Sequence, residues 1–212
     1  MLIRHGQSVS QLENRMPDAH DRCTGLSPLG QAQARALAHR LGRTNELAAV
    51  DVVYTSLSTR AIQTAEILAE VLPGSFLSHC DWCESHPGDA AGVSWGEFGQ
   101  RFPTRGDSPD PFERRIPGGE SWAEFFARSG ERLRRLAHDD AGKQVVVVTH
   151  GGLIGASFVA FADVPIQKAF NFTDEVRNTA ITEWTHTGSE WRLVRYNDFA
   201  HLATLEEPRS GG

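Results

Sequence analysis

Four consecutive valines, Val145–Val148, run straight into Thr149-His150-Gly151-Gly152 and then into a second apolar stretch that ends near Ala162. A β-branched run of this kind reads as a buried strand, and the stretch after the glycines is long enough for a helix. Strand and helix signals alternate through the rest of the chain. Met1–Arg4 begins a short apolar run that gives way to a polar loop from Gln7 to Thr24. Ser27 as N-cap and Pro28 at the first helical position open a helix whose Leu37, Ala38 and Leu41 share one face and which Gly42 ends. Val50–Tyr54 reads as a strand. Ser56 or Ser58 then caps a helix carrying Ile62, Ala65, Leu68 and Leu72 as far as Pro73-Gly74, and Phe76–His79 is a further strand.

Residues 84–119 are rich in glycine and proline and poor in periodic apolar positions. They read as an irregular lobe anchored by Trp95, Phe98, Phe102 and Phe112. Gly119-Glu120-Ser121 leads into a long amphipathic helix reaching about His138. Thr179–Trp184 and Trp191–Tyr196 alternate like an antiparallel pair closing on Gly188. The β-α-β-α-β order predicts an α/β fold: a mostly parallel central sheet, helices on both faces and a small irregular lobe over the site. Residues 1–212 are expected to form a single domain with the lobe, 85–117, inserted.

Composition narrows the function. At 40% hydrophobic residues and a net charge of −6, the chain has a globular make-up and lacks the basic excess of a nucleic-acid binder. No run of about 18 apolar residues marks a membrane span, and the first residues lack the apolar core of a signal peptide. Three cysteines do not make a disulfide framework. The expected setting is the cytoplasm.

The chemistry gathers at strand ends. One apolar run ends in Arg4-His5-Gly6 and the valine run ends in Thr149-His150-Gly151-Gly152. Ligands of open α/β sheets sit beyond the carboxyl ends of strands, so the two histidines are expected in one crevice. Glycine lets backbone N–H groups approach a ligand, and the helix after His150 aims its positive end at an anion. Arg60 falls in the first turn of a helix after another strand. With Arg4 it can form a guanidinium clamp on phosphate. These residues describe an anion site with a nucleophilic imidazole.

Leu2-Ile3-Arg4-His5-Gly6-Gln7-Ser8, Leu26-Ser27-Pro28-Leu29-Gly30, Tyr54-Thr55-Ser56 with Arg60-Ala61, and Val148-Thr149-His150-Gly151-Gly152 occur in that order. Together with Pro117-Gly118-Gly119-Glu120-Ser121 and Asn178-Thr179-Ala180, they resemble the phosphoglycerate mutase-like branch of the histidine phosphatase superfamily. The resemblance implies that His5 is the nucleophile that becomes phosphohistidine, with Arg4, Arg60 and His150 on the phosphate oxygens. It implies a proton-donating carboxylate followed by glycines four and eight residues on, a spacing met by Glu84, Gly88 and Gly92. Where the family commonly has an asparagine on the phosphate this chain has Gln11, with the same amide on a longer stem. Asn14 matches a second family asparagine.

The resemblance further implies a small phosphorylated substrate, no cofactor, no metal, and no nucleic-acid or membrane partner. Hydrolysis is expected over mutase chemistry, because the segment between Glu84 and Gly118 is short beside that of the resembling mutases and no extended tail follows Glu207. A member that merely binds phosphorylated ligands is the alternative outside catalysis, although it would have no use for a proton donor. A competing signal is His79-Cys80-Asp81-Trp82-Cys83-x-x-His86, whose thiols and imidazoles could supply a tetrahedral zinc set. Arg101, Arg105, Arg114 and Arg115 in the lobe hint at an anionic leaving group or are solvated surface. Arg105-Gly106-Asp107-Ser108 spells an adhesion tripeptide by coincidence.

Overall fold

In the computed structural model, which describes residues 1–19, 22–103, 110–173 and 175–205, strand order explains where the histidines lie. The sheet has six strands in the order β3-β2-β4-β1-β5-β6. They are β1 (Leu2–Arg4), β2 (Val52–Thr55), β3 (Ser75–Ser78), β4 (Val145–Thr149), β5 (Ile181–Thr187) and β6 (Glu190–Asp198). The pairs β3–β2, β2–β4 and β4–β1 are parallel; β5 and β6 add an antiparallel edge. Arg4 pairs with Thr149 and Thr55 with Val148, so the chain leaves β1, β4 and β2 side by side at one end of the sheet.

Side-chain alternation along the central strands builds a core on each face. Leu2 and Val147 pack with Phe125, Phe126, Leu153 and Ile154 of the helices α5 (Trp122–Asp139) and α6 (Gly151–Ala162). Ile3, Val53, Val146 and Val148 pack on the other face with Leu37, Leu41, Ala61 and Leu68 of α2 (Pro28–Thr44) and α3 (Thr59–Leu68). The expected α/β architecture is present. No helix among the described residues is long and apolar enough to cross a membrane.

Several boundaries differ from the sequence reading. The polar loop after β1 contains a short helix, α1 (Val9–Leu12), held by a capping box between Ser8 and Gln11. Gly42 does not end α2. The helix continues to Asn45, whose left-handed backbone (φ 53°) lets its N–H return to the Leu41 carbonyl at 3.0 Å. α3 stops at Leu68, short of Pro73. The long helix α5 opens on a capping box between Ser121 and Glu124. A one-turn helix, α7 (Ile166–Ala169), follows α6 without a signal having been read for it.

The lobe holds one short helix, α4 (Trp95–Arg101), in otherwise irregular chain. Phe102 is buried, whereas Trp95 is 47% and Phe112 67% exposed. Phe112 is therefore no anchor: its N–H is tied to the Asp110 carboxylate in a turn, and its ring faces solvent. Arg101 is paired with Glu97, and Arg114 with Glu124, so neither reaches toward the site. Arg115 lies over the Phe98 ring, 4.6 Å from its centre. Arg105, the tripeptide beginning there and Glu207 lie outside the described residues.

Candidate active site

His5 leaves β1 beside the end of β4, its N–H donating to the Thr149 carbonyl at 2.9 Å. Its Nδ1 lies 2.6 Å from the Gly6 carbonyl oxygen. A carbonyl can only accept, so Nδ1 carries the proton and the lone pair is on Nε2. That lone pair receives a hydrogen bond from Nε of Arg60 at 3.1 Å. Arg60 sits in the first turn of α3, and its Nη2 donates to Nδ1 of His150 at 3.1 Å. The two imidazole rings lie 5.0 Å apart at 63°. One guanidinium thus bridges both histidines.

All three side chains are sequestered: His5 is 4%, Arg60 3% and His150 1% exposed. Burial holds both imidazoles well below the ordinary histidine value of 6.5, and the Arg60 charge lowers them further. Each ring is therefore neutral at neutral pH, and the Nε2 lone pair of His5 can act as a nucleophile once Arg60 releases it. Arg4 donates to the Val176 carbonyl, with its guanidinium close to Gly151 at the start of α6.

Glu84 meets the same region from the lobe side. Its carboxylate accepts from the N–H of Gly152 at 2.9 Å and of Ser85 at 3.0 Å. Gly152 is in the first turn of α6, so the carboxylate rests at the positive end of that helix. A side chain at position 152 would run into Glu84, which accounts for the second glycine after His150. Gly88 and Gly92 both have left-handed backbones (φ 51° and 73°), and Gly88 lies against the Pro117 carbonyl. Arg128 of α5, which sequence reading did not single out, pins this segment by donating to the Glu84 carbonyl at 3.1 Å while paired with Glu120.

A cavity of about 380 Å³ reaches Arg60 and Glu84, with Arg22, Ser58 and Cys83 also in its wall.

The remaining sequence candidates sit differently. The Gln11 amide oxygen accepts from the Ser8 N–H at 3.0 Å, as the α1 cap, and from Asn178 at 3.3 Å. Asn178 in turn donates to the His5 carbonyl at 2.9 Å, so Gln11 is one residue removed from the His5 backbone. Asn14 has a left-handed backbone and joins α4 through its carbonyl, which accepts from Trp95 N–H at 3.2 Å. Among the described residues, no hydrogen bond links its side chain to His5, Arg60 or His150.

The cysteine–histidine segment converges in part: Cys80 Sγ lies 3.9 Å from Nε2 of His86 and beside the Cys83 thiol. Cys80 opens a 3-10 turn, Cys83 is turned inward and buried, and His79 points out to cap Asp81. Burial and the neighbouring Cys83 push the Cys80 thiol up to about 11. Among the described residues, no three histidine, cysteine, aspartate or glutamate side chains are grouped so as to hold a metal. Sequence reading also passed over Cys23, whose Sγ accepts from Arg60 Nη1 at 3.1 Å. No local signal points to that contact, which joins a loop to a helix 37 positions away.

Comparison with known proteins gives the family. The family model of the histidine phosphatase superfamily (branch 1) matches residues 1–199. The chain is 26% identical to a metal-independent phosphoserine phosphatase of Arabidopsis thaliana, covering 97% of this chain and 83% of that one. It is 29% identical to a glucosyl-3-phosphoglycerate phosphatase of Mycobacterium tuberculosis, covering 96% of both. The solved structure of Bacillus stearothermophilus YhfR superposes with a TM-score of 0.79 at 25% identity, over 95% of this chain and 97% of that one. A model match over nearly the whole length, with the two histidines meeting at adjacent strand ends, means that this chain belongs to the histidine phosphatase superfamily.

Proposed function

We propose that the protein hydrolyses phosphate monoesters through a phosphohistidine formed on Nε2 of His5. One observation carries this reading: Nδ1 of His5 is tied to the Gly6 carbonyl, so its neutral lone pair points at the guanidinium that would hold the phosphate. In the first step Nε2 attacks phosphorus, the ester P–O bond breaks, and protonated Glu84 gives its proton to the departing alkoxide. Water then attacks the phosphohistidine, ionised Glu84 takes the water's proton, and the P–N bond breaks to release inorganic phosphate and restore the imidazole. Arg4, Arg60, His150 and the N-terminus of α6 stabilise the charge spreading over the phosphoryl oxygens.

The leaving group has room beyond this point. A second cavity of about 510 Å³, sharing Met16, Ser85, His86 and Pro87 with the first, is lined by Trp95, Phe98, Trp122 and Arg115. The lobe, 85–117, and the sheet would then act as one catalytic domain. Two of the relatives named above are phosphatases of small phosphorylated compounds, which supports hydrolysis and the same substrate class here. A reducing, cytoplasmic setting suits three free thiols.

The test is phosphate release from a simple monoester after exhaustive chelation. Turnover should be unchanged by EDTA, because arginines and a helix end neutralise the phosphate, and vanadate should inhibit by taking the phosphoryl position. Loss of activity restored by zinc or magnesium would contradict the mechanism.

Arg60 gives a sharper prediction. Losing a charge-assisted contact typically costs ~1.5–3 kcal/mol, and only the part made in the transition state lowers the rate constant. Arg60→Ala should lower kcat and raise KM, with kcat/KM falling by at least ~10- to 100-fold. Arg60→Lys should recover little, since a point charge cannot bridge both histidines. Steady-state kinetics with full activity in the lysine variant would reduce Arg60 to a packing residue.

A further inference from the structure

The hydrogen bonds behind His150 are determinate, and they lead to a cysteine, Cys83, whose thiol also neighbours that of Cys80. Arg60 is a donor only, so Nδ1 of His150 must accept, and the ring proton is on Nε2. Nε2 therefore donates to Ser56 Oγ at 2.8 Å. The same oxygen accepts from the Ser58 N–H at 3.1 Å, so both its lone pairs are engaged. Its hydrogen goes to Cys83 Sγ at 3.3 Å. Ser56, Ser58, His150 and Cys83 are all buried.

A bound phosphate reverses this pattern. On the phosphatase reading above, on which this inference rests, a phosphate oxygen replaces the Arg60 N–H at Nδ1 of His150. That oxygen accepts, so Nδ1 must now carry a proton. In the empty site a second ring proton is opposed by burial and by the nearby arginines, a bias against which a bound phosphate's charge would work. The alternative is exchange with solvent while Arg60 is displaced: the ring loses its Nε2 proton and takes one at Nδ1, with no net change in charge. The Ser56 hydroxyl then turns its hydrogen to Nε2. One of its lone pairs is released toward Cys83, and only a side chain that both accepts and donates can satisfy both states.

We propose that Cys83 is a positioning residue for His150, acting through Ser56 to let the imidazole hold its proton on Nε2 in the empty site and on Nδ1 against a bound phosphate. The thiol serves as acceptor in the first state and as donor in the second. Serine could replace it; valine, close in shape, could not.

The test is ¹⁵N NMR of histidine-labelled protein with and without vanadate, on wild type, Cys83→Ser and Cys83→Val, with Cys83→Ala in place of valine if that variant does not fold. In wild type and Cys83→Ser, His150 should be protonated on Nε2 alone when empty and on Nδ1 alone with vanadate. In Cys83→Val the empty ring should already shift toward the Nδ1-protonated form, because Cys83 is the acceptor of the Ser56 hydroxyl among the described residues, and kcat/KM should fall roughly tenfold. Cys83→Ser should restore most of that loss. A doubly protonated ring with vanadate bound, or a valine variant (or its alanine substitute) with wild-type ring signals in both states, overturns the inference while leaving the phosphatase reading standing. Absence of vanadate binding to wild type overturns both.

Discussion

His5→Ala should lower turnover of any phosphate monoester by at least ~10⁴-fold, the scale seen when a covalent nucleophile is removed. Both imidazoles turn a lone pair to the Arg60 guanidinium, but the ring proton of His5 is fixed on Nδ1 by the main-chain Gly6 carbonyl, which keeps its lone pair on Nε2, whereas the Nε2 proton of His150 rests on the Ser56 hydroxyl. The fold should survive. His5 belongs to neither of the two apolar clusters on the sheet, and its backbone N–H still pairs with Thr149. Thermal melting followed by circular dichroism should move by no more than a few degrees. Residual activity within tenfold of wild type would assign the nucleophile elsewhere.

The second large effect concerns Glu84. Glu84→Gln keeps an oxygen that can accept from Gly152 N–H but has no proton to give a leaving alkoxide. Hydrolysis of an alkyl phosphate should slow by roughly 10²–10⁴-fold. For p-nitrophenyl phosphate, whose leaving group needs little protonation, the loss should be far smaller. The comparison of the two substrates is the informative readout. Equal losses would make Glu84 a residue that positions phosphate or the start of α6. Asp89 would then be the next acid to examine, since Asp81 is held by His79 and Arg132.

What could be read beforehand follows from the range of the forces involved. The strand ends bearing His5 and His150 were legible because a valine run and two glycine turns are local patterns. So was the hairpin at Gly188, where alternation and a left-handed glycine coincide. The end of α2 was misread because Gly42 is a helix breaker by composition, yet here it faces Val71, and Asn45 supplies the left-handed cap. Gln11 was read for its spacing from His5, although Ser8-x-x-Gln11 is also a capping-box pattern. In the lobe, aromatic content showed that something is buried. Only packing decides that Phe102 is buried while Trp95 lines a cavity.

The site was legible as a set of residue types and less so as a set of bonds. Arg60 was expected on the phosphate; its bridging of both histidines depends on α3 meeting the ends of β1 and β4. Cys23, Ser56, Cys83 and Arg128 act through contacts between distant segments, for which one sequence holds no periodic sign. The thiols of Cys80 and Cys83 suggested zinc through spacing alone. Cys83 is buried against Ser56 and His79 turns to Asp81, so among the described residues only Cys80 and His86 of the four come together as the spacing suggested, with Cys83 beside Cys80.

The account turns on a covalent intermediate, and rapid-quench labelling reads it directly. Wild-type protein mixed with a ³²P-labelled monoester should, within the first turnover, hold acid-labile, base-stable phosphate close to one per chain, and peptide mapping should place it on His5. Phosphate trapped on another residue, or turnover with no phosphoprotein at any quench time, would contradict it.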